Sequence, residues 1–221
     1  NKMITISTMP SINFKVTYHI PWYAIKIYNL TLYGKIPLRP KYAMKYQSPY
    51  FAPITVDDPF IKEVLAPFIL WFEENIGLMD RVRLTLNLFK GKGIITPSFV
   101  SYPLLTITLG YYDCADMSVL YYTILKLLGV DVAIVEWVNE SHASLAISEV
   151  DAIKYNIRRS MYFTLMWNGT IFQYLTRKYY LLWDTGYIAG YTQDKVLKLQ
   201  EKRLVYLFAP PPISFEWSFT R

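Results

Sequence analysis

From Phe60 onward the chain repeats apolar residues at helical spacing. Phe60, Ile61, Val64, Leu65, Phe68, Trp71 and Phe72 fall on one face of a helix with 3.6 residues per turn. Asp58 reads as an N-cap, Pro59 as the first helical residue and Gly77 as the C-terminal stop. Pro67 lies inside the stripe, lacks an N–H and predicts a kink. The next segment carries two periods at once. Val82, Leu84, Leu86 and Leu88 alternate like a strand, while Leu78, Val82, Leu86 and Phe89 share a helix face. It is read as a helix ending at Gly91. The most helical stretch runs from Cys114 to Leu128 and closes at Gly129, with Val119, Leu120, Ile124, Leu127 and Leu128 as its buried face.

Beyond Gly129 strand signals take over. Val130 to Val138 reads as a buried strand, Asn139-Glu140-Ser141 as a turn and His142 to Ser148 as a second strand. After a basic patch at Lys154, Arg158 and Arg159, the runs Met161 to Trp167 and Thr170 to Leu175 flank Asn168-Gly169. That dipeptide tolerates the positive φ of a tight hairpin turn, so a two-residue hairpin is expected there. Tyr179 to Trp183 reads as a further strand ending at Asp184, and Thr192 caps a last helix to about Arg203. Helices first, then strands in antiparallel hairpins, is an α+β pattern.

Upstream of this body, Lys26-Ile27-Tyr28-Asn29-Leu30-Thr31-Leu32-Tyr33 alternates as strands do, and Pro37, Pro40, Pro49 and Pro53 break the chain after it into extended pieces. Charge places the boundary near residue 56. The chain of 221 residues has a net charge of +6, yet residues 1–56 hold seven basic groups and no acid. Residues 57–221 come to a net of −1. Residues 1–56 thus form a basic extension rich in Tyr and Pro, and residues 57–221 the main domain. Ile20, Trp22, Tyr23, Ile25 and Ile27 are too apolar for a solvated tail, so the extension is expected to pack on the body. Its cations suit an anionic partner. Nucleic acid is disfavoured, because no recognised binding motif accompanies the charge.

Composition narrows the classes further. With 53% hydrophobic and 18% charged residues the chain is not intrinsically disordered. One cysteine excludes an intramolecular disulfide. Two histidines and one cysteine fall short of the usual zinc sets, and neither metal nor cofactor is expected. Gly93 to Tyr112 is free of charge and long enough to cross a bilayer, but Pro97, Pro103 and several Ser and Thr interrupt it. It is read as buried loop and short strand, and no membrane span is expected. A free nucleophilic cysteine suits a reducing compartment such as the cytoplasm. A start at Asn1 is also compatible with a removed signal or anchor.

One constellation carries chemistry. Cys114 opens a helix, whose N-terminal partial charge favours a thiolate. His142 begins a strand just after a turn, and Asp184 ends a later one. Cysteine as nucleophile, histidine as acid and base, and aspartate as orienter is the logic of a catalytic triad. Asp113 reads as a cap and Asp116 as a complement to the helix dipole. The other histidine, His19, reads as structural. The N–H of Cys114 is a natural oxyanion donor. Thr106, Thr108, Tyr111 and Tyr112 are candidates for a second donor.

The run Asp113-Cys114-Ala115-Asp116-Met117-Ser118 into a helix, then Gly129-Val130 and a strand, then His142-Ala143, then Trp183-Asp184-Thr185, resembles the transglutaminase-like cysteine protease superfamily. The likeness spans roughly residues 57–190. It implies a papain-like α+β core with the catalytic cysteine at a helix N-terminus on an antiparallel sheet. It also implies Cys114 as nucleophile, His142 as general base and Asp184 as its partner. Two departures stand out: residues 149–176 look like an insertion, and Ser144 stands where an aromatic residue often follows the histidine.

Three functions are expected from this reading. The first is hydrolysis of peptide or isopeptide amides in a peptide or protein substrate, through a thioester acyl-enzyme. The second is transglutaminase chemistry, in which an amine replaces water. The third is a non-enzymatic binding or structural protein that works through its basic extension. The absence of any sign of large accessory domains favours the hydrolase, and the intact Cys, His and Asp argue against the third.

Overall fold

The computed structural model describes residues 2–9, 12–18, 59–87, 103, 106–107, 112–167, 175–186, 188–202 and 204–208. Among them the chain is mixed α+β, and every strand pairing is antiparallel. No helix among the described residues is long and apolar enough to cross a membrane. The expectations that concern His19, Lys26–Tyr33, Asp58, Thr108, Tyr111, the helix end at Gly91, and the packing of residues 19–56 lie outside the described residues.

The N-terminal end is a two-stranded hairpin, β1 (Lys2–Met9) and β2 (Ile12–Tyr18), with Met9 opposite Ile12. Helix α1 (Pro59–Asn75) starts at Pro59, as the sequence predicts, and runs through Pro67. Gly77 differs from expectation. Its φ of −56° is not the left-handed stop of α1. It is the N-cap of helix α2 (Leu78–Thr85), so α1 ends without a glycine. Of the two periods in 78–89, the helical one wins over Leu78–Thr85, with Val82 and Thr85, three residues apart, buried on neighbouring positions of one helix face.

Helix α3 (Cys114–Leu127) packs on the sheet formed by the rest of the chain. Its strands are β3 (Val132–Trp137), β4 (His142–Ser148), β5 (Tyr162–Trp167), β6 (Leu175–Trp183) and β7 (Val205–Phe208). The order across the sheet is β5-β6-β4-β3-β7. The edges β5 and β7 approach each other, so the sheet curls, and helix α5 (Gln193–Glu201) packs against both. The short helix α4 (Glu149–Lys154) leads from β4 toward β5.

Two cores result from strand alternation. On the helix side, Val132, Ile134, Ala143, Leu145 and Ile147 meet Met117, Leu120, Tyr121 and Ile124 of α3. Inside the curl, Ala133, Val135, Trp137, Ala146, Phe163, Tyr179 and Val205 close over Val196 of α5. Strands β3 and β4 are buried on both faces, which is why their sequences read as continuous apolar runs. Trp137 is 1% exposed, its indole N–H donates to Ser144 Oγ at 2.8 Å, and Phe163 meets it edge-on. Burial of one such side chain contributes roughly 1.5–3 kcal/mol.

The hairpin after β4 departs from expectation. Trp167 pairs with Leu175, whereas a two-residue turn at Asn168-Gly169 would pair it with Thr170. β6 is one strand from Leu175 to Trp183, so Tyr179–Trp183 is its second half and not a separate element. Long-range pairing with both β5 and β4 outweighs the local turn preference. The fold is also built from α4 and β7, which no periodicity announces.

Candidate active site

The helix that begins at Cys114 is fixed by its first residues. Asp113, in extended conformation, accepts the N–H groups of Ala115 and Asp116 through Oδ1 at 2.8 and 2.9 Å. Asp116 Oδ2 in turn accepts the Asp113 N–H at 3.2 Å, which completes a capping box. The helix therefore starts at Cys114 and nowhere else, and the sulfur is placed at its first turn. The Cys114 N–H is a first-turn donor that the box itself does not use. Gly129, at φ +74°, ends the element in the left-handed region that a glycine adopts without strain.

The histidine is placed by a turn. Val138–Glu140 form one 3₁₀ turn, and Ser141 follows in the left-handed region at φ 46°. A non-glycine residue there costs about 1 kcal/mol, and the reversal it makes sets the start of β4 at His142. β4 then carries the histidine backbone past the N-terminal end of α3, against which β4 packs.

The aspartate is placed by a bulge. From Tyr179 to Leu181 strand β6 pairs with Ser148, Ile147 and Ala146 in regular order, but Leu145 pairs with Trp183. Leu182 is the extra residue. Leu182 and Trp183 consequently both lie on the helix side, where Trp183 meets Tyr121 edge-on at 5.3 Å. Alternation then turns Asp184 to the face that His142 and Ser144 share.

The three predicted residues meet. His142 Nε2 lies 2.5 Å from Asp184 Oδ1, and Cys114 stands close enough to the same ring to raise its proton affinity. Asp184 Oδ2 accepts the N–H of Gly186 at 2.8 Å and of Ile188 at 3.3 Å, so both carboxylate oxygens are engaged. The side chains of His142 and Asp184 are 5% and 10% exposed. Burial alone would lower the His142 pKa, but the hydrogen bonds and charges of Asp184 and Cys114 raise it to about 9. Burial would raise Asp184, and the hydrogen bond and charge of His142, with the Gly186 and Ile188 N–H groups, bring it below its ordinary value. The site thus joins a half-buried cysteine to a buried, hydrogen-bonded pair of imidazole and carboxylate.

Of the oxyanion candidates, Thr106 is buried and Tyr112 lies two residues before Cys114. Among the described residues no group of His, Cys, Asp and Glu is arranged to hold a metal ion. The sequence carried no signal for the Leu182 bulge or for the left-handed Ser141. Both depend on how β4 meets its neighbours. Comparison with protein-family models gives no match, and neither curated proteins nor solved structures give one.

Proposed function

We propose that the protein is a cysteine-dependent hydrolase of peptide or isopeptide amide bonds, built on a papain- and transglutaminase-like core. The observation that carries this reading is the buried His142–Asp184 hydrogen bond with Cys114, the first residue of a helix, beside the same imidazole. Its supports are the chain order and the element types: helix start, strand start, and the end of the adjacent antiparallel strand.

The chemistry has two halves. Sγ of Cys114, its proton held on His142, attacks the amide carbonyl carbon, and the oxyanion that forms is met by the Cys114 N–H. Collapse breaks the C–N bond, the imidazolium protonates the leaving amine, and a thioester to Cys114 remains. His142 then removes a proton from water, which attacks the thioester; collapse breaks the C–S bond and releases the acid, and the proton left on His142 beside the freed sulfur restores the starting state. Asp184 keeps the ring oriented and stabilises the imidazolium throughout.

The test is a panel of fluorogenic peptide amides and an activated ester, followed by acid quench and intact-mass measurement. The expected result is substrate release with an acyl adduct on Cys114, both lost in Cys114→Ala. If no substrate acylates Cys114, and iodoacetamide modifies it no faster than a free thiol, the reading fails. Adding a primary amine asks whether the thioester is also passed to an amine.

A further inference from the structure

The loop that carries Asp184 and the turn that carries His142 are joined a second time, away from the imidazole. Tyr191 Oη donates to Glu140 Oε1 at 2.7 Å, across 51 residues of sequence. Glu140 belongs to the 3₁₀ turn two residues before His142. Tyr191 closes the Asp184 loop: its N–H donates to the Ile188 carbonyl at 3.0 Å, and the Ile188 N–H donates to Asp184 Oδ2. The result is a closed circuit. It runs from Asp184 through Ile188 and Tyr191 to Glu140, along the backbone to His142, and back to Asp184.

The Tyr191 ring is itself held. It meets the buried Trp137 edge-on with centroids 5.7 Å apart, and Lys195 Nζ sits 3.3 Å from its centroid. Trp137 pairs with His142 across β3 and β4, and its indole is fixed on Ser144. A hydroxyl mounted on so constrained a ring transmits position and not merely contact. The turn it holds includes the strained Ser141, which would otherwise relax and carry His142 with it.

We propose that Tyr191, through Glu140, is a positioning residue that sets the alignment of His142 on Asp184. This rests on the reading of Cys114, His142 and Asp184 as the reacting group. It extends that reading to two residues that never touch the reacting atoms.

The full chain is used for the test, with NMR titration of the two histidines and the rate of Cys114 alkylation by iodoacetamide at neutral pH. Tyr191→Phe keeps the ring and removes the hydroxyl; Glu140→Ala removes the acceptor; Glu140→Gln keeps one. Tyr191→Phe and Glu140→Ala are each expected to slow alkylation about five- to tenfold and to lower the pH at which His142 titrates. The double variant should be no slower than either single one, and Glu140→Gln should restore most of the rate. A Tyr191→Phe protein whose His142 titrates as in wild type would overturn the proposal, as would effects that multiply in the double variant. His142→Ala separates the two levels: if it alkylates like wild type, the reacting group itself has been misread.

Discussion

Trp183 pairs with Leu145 one residue out of step with the rest of β6, and this offset is what faces Asp184 toward His142. Deleting Leu182 removes the extra residue and restores unbroken alternation. The expected outcome is a protein that keeps its sheet and loses the His142–Asp184 bond. His142 should then titrate near its ordinary value of about 6.5 instead of about 9, and Cys114 alkylation should fall at least about tenfold. NMR titration and intact mass check both.

Stability should track the same pair. His142 has a raised folded pKa, so its contribution is complete below about pH 6.5 and is lost as pH rises through about 9. Asp184 has a depressed one, so its contribution is present above about pH 4 and is lost in acid. Urea midpoints of the wild type should therefore be highest between about pH 4 and 6.5 and should decline toward pH 9. Asp184→Asn should flatten the alkaline decline, with a loss of up to about 3 kcal/mol at pH 6 that shrinks by pH 9. Equal losses at both pH values would refute the coupling.

The capping box predicts a different signature. Asp113→Ala leaves the N–H groups of Ala115 and Asp116 without their acceptor and should cost about 1 kcal/mol. Asp113→Asn or Asp113→Ser should recover most of it. Thermal melts measure the stability, and a fraying first turn should also make Cys114 reactivity depend more steeply on temperature.

Gly129 provides a control far from the chemistry. A Cβ there meets nothing within 4 Å, so Gly129→Ala tests only the backbone at φ +74°. A loss of about 1 kcal/mol is expected, with Gly129→Asn costing less because asparagine enters the left-handed region more readily. Cys114 alkylation should not change, and a change would show that the end of α3 is coupled to its start.

What the sequence disclosed was local. Asp113 before Cys114, Gly129 after Leu128, Thr192 before Gln193 and Pro59 at a helix start all state their role within a few residues. The order Cys114, His142, Asp184 was legible because each stands at the end of an element. What stayed hidden depends on partners far along the chain. Val205–Phe208 gains its strand from β3, the Leu182 bulge exists only against β4, and Asn168-Gly169 was overruled by the pairing of Trp167 with Leu175. α4 is too short to show a period. Gly77 serves the helix after it, a choice that its flanking residues leave open.

The capping box has a consequence for where the charge at the sulfur is held. A bare helix end offers about half a positive charge, and here two carboxylates already sit at its N–H groups. The field left over at Cys114 is small, so the helix end contributes little to the sulfur's surroundings and the neighbouring His142, held by Asp184, contributes most. A change that turns the His142 ring away would therefore alter Cys114 reactivity with α3 and its cap left intact.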